Sequence, residues 1–180
     1  MFPDDGFAQW DQSEVPKSAK NGYNSSTMET LKMSNSDYAN LARMLRKLDF
    51  FASMTVHQID LVMPYITLCR LGKGEKVFKQ GDKGDSLYIV YEGSVSVRVK
   101  KGFWSFSRRV ATLSPCDFFG ETALLSREPR NATVTCETES KLFVLFSDDF
   151  ETVLGKNPAL ASEMKKVSEH RKILSQRTIS

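Results

Sequence analysis

Histidine and cysteine are scarce in this chain of 180 residues. Metal-binding and disulfide-rich proteins place such residues at short, regular spacings, and no such cluster occurs here. We therefore expect no zinc site, and a reducing, cytoplasmic location with free cysteines. The residues concerned are His57, His170, Cys69, Cys116 and Cys136.

Long apolar runs and an N-terminal basic segment are also missing. The longest apolar run is a few residues, whereas a membrane-spanning helix needs about 20. The N-terminus begins MFPDD, with acids where a secretory signal has basic residues. We therefore expect no transmembrane segment and no export by the secretory route.

The net charge by itself does not assign the protein to a functional class. Lysine and arginine number 25 against 22 acids, which gives a formal net charge of +3. Residues 1–40 contain more acids than lysines, so the positive excess lies in the rest of the chain. Proteins that bind nucleic acid usually concentrate positive charge on one face, and this mild excess does not indicate one.

The pattern of residues divides the chain into a tail, two helical parts and a β-rich part. Residues 1–34 are polar without a period, which predicts a flexible N-terminal tail. A segment that docks on a partner or folds back on the domain is the alternative. Residues 35–65 show apolar residues at helical spacing after a cap near Ser34, which predicts N-terminal helices. Residues 147–180 return to helical spacing, with Ser147 as the expected cap.

The part between the helices, residues 66–146, alternates short β-prone runs with Gly, Asp and Pro turns. Short strands separated by such turns predict an antiparallel jelly-roll β-barrel. The fold class is therefore mostly β, with flanking N-terminal helices and C-terminal lid helices. The strand candidates are Ile66–Leu71, Lys76–Lys79, Ser86–Tyr91, Ser94–Lys100, Arg108–Leu113, Ala132–Glu137 and Leu142–Phe146.

The most informative segment is residues 119–134, FGETALLSREPRNATV. The first amides of its short apolar turn attract an anion, and Arg130, at the start of a strand, can grip a phosphate with two donors. Glu121 would repel a phosphate, so we expect it to accept from hydroxyls such as those of a ribose. This set fits a nucleotide with a single phosphate charge. A plain surface ion pair between Arg130 and Glu121 is the alternative.

This segment closely resembles the phosphate-binding cassette of the cyclic nucleotide-binding domain family. The family pattern, Phe-Gly-Glu-x-Ala-Leu, a spacer and Pro-Arg-x-Ala-Thr, is matched at residues 119–124 and 129–133. The sequence GDKGDSLYIV at residues 81–90 is similar to the family's glycine turn and strand pair. The resemblance extends over residues 36–175. It implies a sensor like those of kinase regulatory subunits, gated channels and catabolite-activator-type regulators.

The resemblance also implies roles for single residues. Glu121 would accept from the ribose 2′-hydroxyl, and Arg130 would neutralise the cyclic phosphate. The other ligand-binding residues would be Gly120, Ala123, Leu124, Asn131, Ala132 and Thr133. The last helix would cover the base as a lid, formed by Met164, Val167, Arg171 or Leu174.

Asn131 stands where the family's nucleotide preference is often decided. Members that prefer cGMP often have Thr there, and many that prefer cAMP have Ala, whereas Asn can both donate and accept. The expected ligand is cAMP, as the commoner of the two, with cGMP left open. We expect the protein that binds this nucleotide to be non-catalytic and to need no metal and no cofactor.

The resemblance predicts a sensor that signals through the C-terminal helix to a protein partner or a second copy of the chain. No DNA-binding domain is expected, because little sequence follows the last predicted helix. A sensor fragment of a larger enzyme, channel or DNA-binding regulator is the alternative. An enzyme on a related barrel, such as a cupin, is disfavoured because no histidine lies in residues 66–146.

One further segment is unusual in composition. Residues 100–109, KKGFWSFSRR, combine aromatic and basic side chains in a predicted hairpin tip. Such a tip could contact a membrane, a partner or nucleic acid, or its aromatic residues could fold back onto the barrel or the tail. The sequence leaves these alternatives open.

Overall fold

The structure is a computed structural model that describes residues 28–48, 51–52, 54–100, 106–121, 124, 127–162 and 165–166. None of the helices in this part of the chain is long and apolar enough to cross a membrane. The helices are α1 (Asn35–Leu45), α2 (Val56–Val62) and α3 (Ser147–Lys156), with a 3₁₀ turn at Met63–Tyr65 and further helical residues from 158.

The first two helices begin with the same capping arrangement. In α1 the Ser34 side chain accepts from the Asp37 N–H, while the Asp37 carboxylate accepts from the Ser34 N–H. Thr55 and Gln58 form the equivalent pair at the start of α2. The predicted start near Ser34 is confirmed. α2 passes into the 3₁₀ turn at Met63–Tyr65, because Pro64 has no N–H to continue the helical hydrogen bonds.

Among the described residues, nine strands form the β-rich part and the segment before α1. Seven confirm the predicted strands, with ends shifted by at most two residues, whereas β1 and β7 were not predicted. The strands are β1 (Glu29–Leu31), β2 (Ile66–Leu71), β3 (Lys76–Phe78), β4 (Ser86–Glu92), β5 (Val95–Val99), β6 (Arg108–Leu113), β7 (Phe118–Phe119), β8 (Thr133–Cys136) and β9 (Ser140–Phe146).

The strands form two antiparallel sheets rather than a closed barrel. One sheet has the order β1-β2-β9-β4-β7 and the other the order β3-β8-β5-β6. No strand pairing joins the two sheets within the described ranges, so the predicted closure is wrong, while the mostly β, antiparallel fold class is confirmed. The edge strands β3 and β7 have only three and two residues, too few to continue a ladder from one sheet to the other.

The five-stranded sheet is buried on both faces. Along β9, Phe143 and Leu145 face the helices, whereas Leu142 and Val144 face the four-stranded sheet. A strand buried on both faces has a continuous apolar sequence, as β9 has. The layers are therefore helices, five-stranded sheet and four-stranded sheet.

The structure corrects the predicted tail at its C-terminal end. Residues Glu29–Leu31, within the predicted flexible segment 1–34, pair with β2, and Arg70 bonds the Glu29 carboxylate at 2.8 Å. A strand of three residues is too short to show a period in the sequence, and the open edge of β2 supplies its hydrogen bonds. Residues 1–27 lie outside the described residues.

The start of α3 also differs from the prediction. Phe146 occupies the capping position, and Ser147 is the first helical residue and is buried. The Ser147 N–H donates to the Asp85 carbonyl at 2.8 Å, so a tertiary contact replaces the expected side-chain cap. This bond anchors the start of α3 beside the glycine turn that precedes β4.

Candidate functional site

Residues 119–134 span the connection from β7 to β8. Gly120, directly after β7, has φ +81°, a left-handed backbone that favours glycine. A Cβ at this position would lie 2.6 Å from Nη1 of Arg130 and 2.8 Å from the carbonyl oxygen of Ser86. Glycine is therefore required both by the turn and by the close approach of the arginine.

The backbone of Arg130 is held by the glycine turn before β4. Its N–H donates to the Asp82 carbonyl, and its carbonyl accepts from the Gly81 N–H, both at 2.8 Å. The two segments that carry the resemblance, far apart in the sequence, are thus one structural unit. This unit places the Arg130 side chain at the end of the cassette.

The Arg130 side chain is buried, with 6% of the residue exposed. Nη1 donates to the Ser86 carbonyl and Nη2 donates to the Ser86 hydroxyl, each at 2.8 Å. Asp85 supplies the counter-charge, with Oδ1 at 3.5 Å from Nη2. Such partners are necessary because an unpaired charge in the interior is costly.

Aromatic rings surround the guanidinium. Its Cζ lies 4.2 Å from the centroid of the Phe78 ring and 5.7 Å from that of Tyr88. Tyr88 in turn stacks on Phe119, with 5.1 Å between the ring centroids. Ring faces attract a cation, so these side chains stabilise the positive charge and restrict where the guanidinium can move.

Burial alters the ionisation of the charged pair. It lowers the pKa of Arg130, although the nearby acidic groups of Tyr88 and Asp85 act in the opposite direction. It also raises the pKa of the Asp85 carboxyl, against the effect of the Arg130 charge. The Nε–H of Arg130 is buried and has no acceptor among the described residues. A buried donor of this kind, on a cation, fits an anionic ligand.

Glu121 follows Gly120 and is half-buried. Its carbonyl accepts from the Leu124 N–H at 3.1 Å, which forms the predicted short turn. Within the described part of the chain, Arg130 forms its ion pair with Asp85 and not with Glu121. The alternative of a surface ion pair between Arg130 and Glu121 is therefore wrong, because the arginine is buried.

The other predicted ligand residues lie in different surroundings. Leu124 and Ala132 are buried, and Leu124 belongs to the apolar cluster beneath the helices. Asn131 is exposed. The Thr133 hydroxyl accepts from the Gln80 N–H at 2.9 Å, on the sheet face turned away from the core. Thr133 is thus separated from the arginine side of the cassette.

Five predicted site residues fall outside the described residues. One is in the cassette turn and four are in the expected lid over the base, so their placement stays a prediction. They are Ala123, Met164, Val167, Arg171 and Leu174.

The cassette also contacts α3. Arg127, with φ +52°, bonds the carboxylate of Asp148 at 2.7 Å and that of Glu151 at 2.8 Å. The charge of Glu151, together with that of Asp148, raises the pKa of Arg127. Leu124 lies in the same apolar cluster as Phe150 of α3. One charged contact and one apolar contact therefore link the cassette to the helix that follows the sheets.

Three residues that hold Arg130 were not expected from the sequence. Asp85, Ser86 and Tyr88 all lie in the glycine-turn segment, where only the backbone pattern was noticed. The Ser86 hydroxyl lies 3.0 Å from the Tyr88 hydroxyl, because residues two apart on a strand share a face. The sequence signal that could have identified these residues is a small polar residue two positions before a tyrosine in an otherwise apolar strand.

The site has the chemistry of anion and hydroxyl binding. Among the described residues, no group of three or more His, Cys, Asp or Glu side chains could hold a metal ion. The cysteines are free thiols, and burial raises the pKa of Cys69 to about 11. The described charged groups of the cassette include the buried guanidinium of Arg130 and the half-buried Glu121.

Comparison with known proteins agrees with this chemistry. The model of the cyclic nucleotide-binding domain family matches residues 68–157. A cAMP-dependent protein kinase regulatory subunit of Yarrowia lipolytica is 45% identical over 82 residues, which is 46% of this chain and 21% of that protein. A cGMP-dependent protein kinase of Eimeria tenella is 33% identical over 128 residues, which is 71% of this chain and 12% of the kinase.

The fold is shared with a solved structure as well. The N-terminal domain of a transcriptional regulator from Streptomyces coelicolor A3(2) superposes with a TM-score of 0.68 at 28% identity, covering 76% of this chain and 95% of that one. The matched part spans only 12% of the Eimeria kinase and 21% of the Yarrowia regulatory subunit. Since the family model matches half of the chain, and the cassette and its arginine stand where the motif requires them, the chain belongs to the cyclic nucleotide-binding domain family.

Proposed function

We propose that this chain is a non-catalytic sensor that binds cAMP at residues 119–134 and passes the signal to its C-terminal helices. The observation that carries the proposal is the buried Arg130, whose Nε–H has no acceptor among the described residues. This donor lies beside the left-handed turn at Gly120 and close in sequence to the half-buried Glu121. N–H groups that can donate to a phosphate, together with a carboxylate that can accept from a ribose hydroxyl, fit a cyclic mononucleotide.

The cyclic phosphate would bind at Arg130. A guanidinium has five N–H donors, and the carbonyl and hydroxyl of Ser86 together take up only part of them. A phosphodiester carries one negative charge, which would accept from the unpaired Nε–H and oppose the cation more directly than Asp85 at 3.5 Å. Binding would therefore satisfy a buried donor that is costly to leave unmet.

The ribose and base would lie on either side of this anchor. Glu121 would accept from the ribose 2′-hydroxyl, since its carboxylate repels the phosphate. The base would lie against the inner face of the four-stranded sheet, where Val97 and Leu113 are half-buried and pack on the core. Asn131, exposed and able to donate and accept, is compatible with adenine, and the Yarrowia relative is named as cAMP-dependent.

The signal would leave through α3. A cassette that tightens around the phosphate would act on α3 through the Arg127 ion pairs and the Leu124 packing. The helical residues beyond 158 would then close over the base, with the predicted lid as their inner face. The receiver would be a protein partner or a second copy of the chain. A sensor part of a larger enzyme, channel or DNA-binding regulator is the second candidate, because the relatives contain this module as a small fraction.

Calorimetric titration with cAMP and with cGMP tests the ligand. We expect one site per chain and tighter binding of cAMP. Glu121→Ala should weaken binding at least about tenfold, because a hydrogen bond to a charged group contributes about 1.5–3 kcal/mol. Glu92→Ala, which removes an exposed carboxylate paired with Lys141, is the control and should bind like the wild type.

Two results would count against the proposal in different ways. No heat with either nucleotide, from a protein that melts cooperatively, would refute the binding function. Tighter binding of cGMP would keep the sensor and refute the choice of cAMP.

Hydrogen exchange followed by mass spectrometry tests the connection to α3. We expect cAMP to slow amide exchange in both the cassette and α3 of the wild type. In Arg127→Gln the slowing should be confined mainly to the cassette, because the ion pairs to Asp148 and Glu151 are lost. Arg109→Gln, which removes another exposed arginine–carboxylate pair, is the matched control. Equal protection of α3 in all three proteins would show that the ion pairs carry no signal.

A further inference from the structure

We propose that the outer face of the four-stranded sheet binds the phosphate-bearing headgroups of an anionic membrane surface. A depression of about 700 Å³ lies on this face, and we call it the outer groove. Thr133 is the one described lining residue that also belongs to residues 119–134, and its hydroxyl faces away from Arg130, so the proposed phosphate site does not include the outer groove. Its lining includes Lys76, Gln80, Arg98, Lys100, Thr133 and Thr135.

The strand register places the outer groove on the face away from the core. Thr135 of β8 pairs with Lys76 of β3, and Thr133 pairs with Arg98 of β5. Val134, between the two threonines, is buried in the core between the sheets. Because successive side chains on a strand alternate, the threonines and their cationic neighbours must face outward. A nucleotide on the inner face and a headgroup on the outer face could therefore bind together.

The outer groove carries positive charge without matching acids. No carboxylate of the described residues lines it, and none of the ion pairs among them involves Lys76, Arg98 or Lys100. Glu137, on the same sheet, is bonded to Arg109 at 2.7 Å. Its charge also acts on Arg98, whereas neither lysine forms an ion pair within the described ranges. The groove is therefore complementary to an anion with more than one charge.

The polar lining suits phosphate oxygens and is held by the backbone. Gln80 closes one end, since its Oε1 accepts from the Lys100 N–H at 2.8 Å and its Nε2 donates to the Lys100 carbonyl at 3.1 Å. The Thr133 hydroxyl accepts from the Gln80 N–H and keeps its own hydrogen to donate. Donors and cations are thus presented together on a fixed surface.

An exposed aromatic residue, adjacent in sequence to a residue that lines the outer groove, favours a membrane over other anions. Phe106 is 97% exposed and precedes Ser107, which also lines the groove. Attraction of basic side chains to anionic lipids and burial of an exposed apolar ring both add to binding at a membrane surface.

Cosedimentation with vesicles tests this proposal on the full chain. We expect binding to vesicles that contain about one third phosphatidylserine and little binding to phosphatidylcholine alone. The triple variant Lys76→Gln/Arg98→Gln/Lys100→Gln should bind about a hundredfold more weakly, at about fivefold for each charge. Raising the salt to about 0.5 M should weaken wild-type binding, because exposed charges are screened.

A matched variant separates the outer groove from net charge. Arg46→Gln/Lys47→Gln/Lys73→Gln removes three exposed cations elsewhere and should keep most of the binding. Circular dichroism melts show whether both variants fold, independently of any nucleotide. Equal loss in the two variants, or equal binding to neutral vesicles, would overturn the proposal. So would binding of pyrophosphate or duplex DNA to the wild type without binding to anionic vesicles.

Discussion

Replacing Arg130 by lysine is expected to weaken cyclic nucleotide binding about a hundredfold. Lysine keeps one positive charge near Asp85, but its single nitrogen cannot reach both Ser86 oxygens and a phosphate with the bidentate geometry of the guanidinium fork. The loss of one or two charge-assisted hydrogen bonds amounts to about 3 kcal/mol. Calorimetric titration with cAMP measures this change in the dissociation constant directly.

The same variant must be shown to fold. The guanidinium is buried under Phe78 and Tyr88, so a melting curve and a near-ultraviolet spectrum belong with the titration. Arg70→Lys, at an exposed arginine paired with Glu29, is the matched control and should leave affinity unchanged. A folded Arg130→Lys protein with wild-type affinity would show that the phosphate does not bind at this side chain.

Replacing Gly120 by alanine is expected to destabilise the fold by about 3 kcal/mol. The backbone at φ +81° costs a residue with a Cβ about 1–2 kcal/mol. The Cβ would also meet Arg130 Nη1 at 2.6 Å and the Ser86 carbonyl at 2.8 Å, and such overpacking costs about 1–3 kcal/mol. For a chain of this size the melting temperature should fall by about 10 °C.

Two other glycines separate these contributions. Gly74 has φ +83° and no atom within 4 Å of the place that a Cβ would take, so Gly74→Ala should cost only the backbone part, about 1–2 kcal/mol. Gly155 lies in α3 with open space around it, and Gly155→Ala should be neutral or stabilise by up to about 1 kcal/mol. If Gly120→Ala melted like Gly74→Ala, the close packing of the arginine against the turn would be refuted.

Much of the fold could be predicted because its determinants are local. The capping box at Ser34 needs only one side chain three residues away, Asp37, to start α1. Strands such as β2 and β9 follow from short apolar runs bounded by turn residues. The cassette was predictable in the same way, since Gly120, Glu121 and Arg130 lie within one short segment.

Other features could not be predicted, because they depend on residues that meet only in the folded chain. β1 forms because the edge of β2 is open, and a segment of three residues is too short to show a strand pattern in the sequence. The sheets stay separate because their edge strands are short, although the pattern of turns would also suit a closed barrel. Ser147 is not a cap because the Asp85 carbonyl already accepts its N–H.

The sequence by itself determined the order of the helices and of seven of the strands, and the places of Gly120 and Arg130 in the cassette. These depend on backbone preferences and side-chain periods that act over a few residues. Only the tertiary structure decided that Arg130 is buried against Ser86 and Asp85, and that Thr133 faces the outer groove. These facts arise from pairings between strands about fifty residues apart, whose register no local pattern specifies.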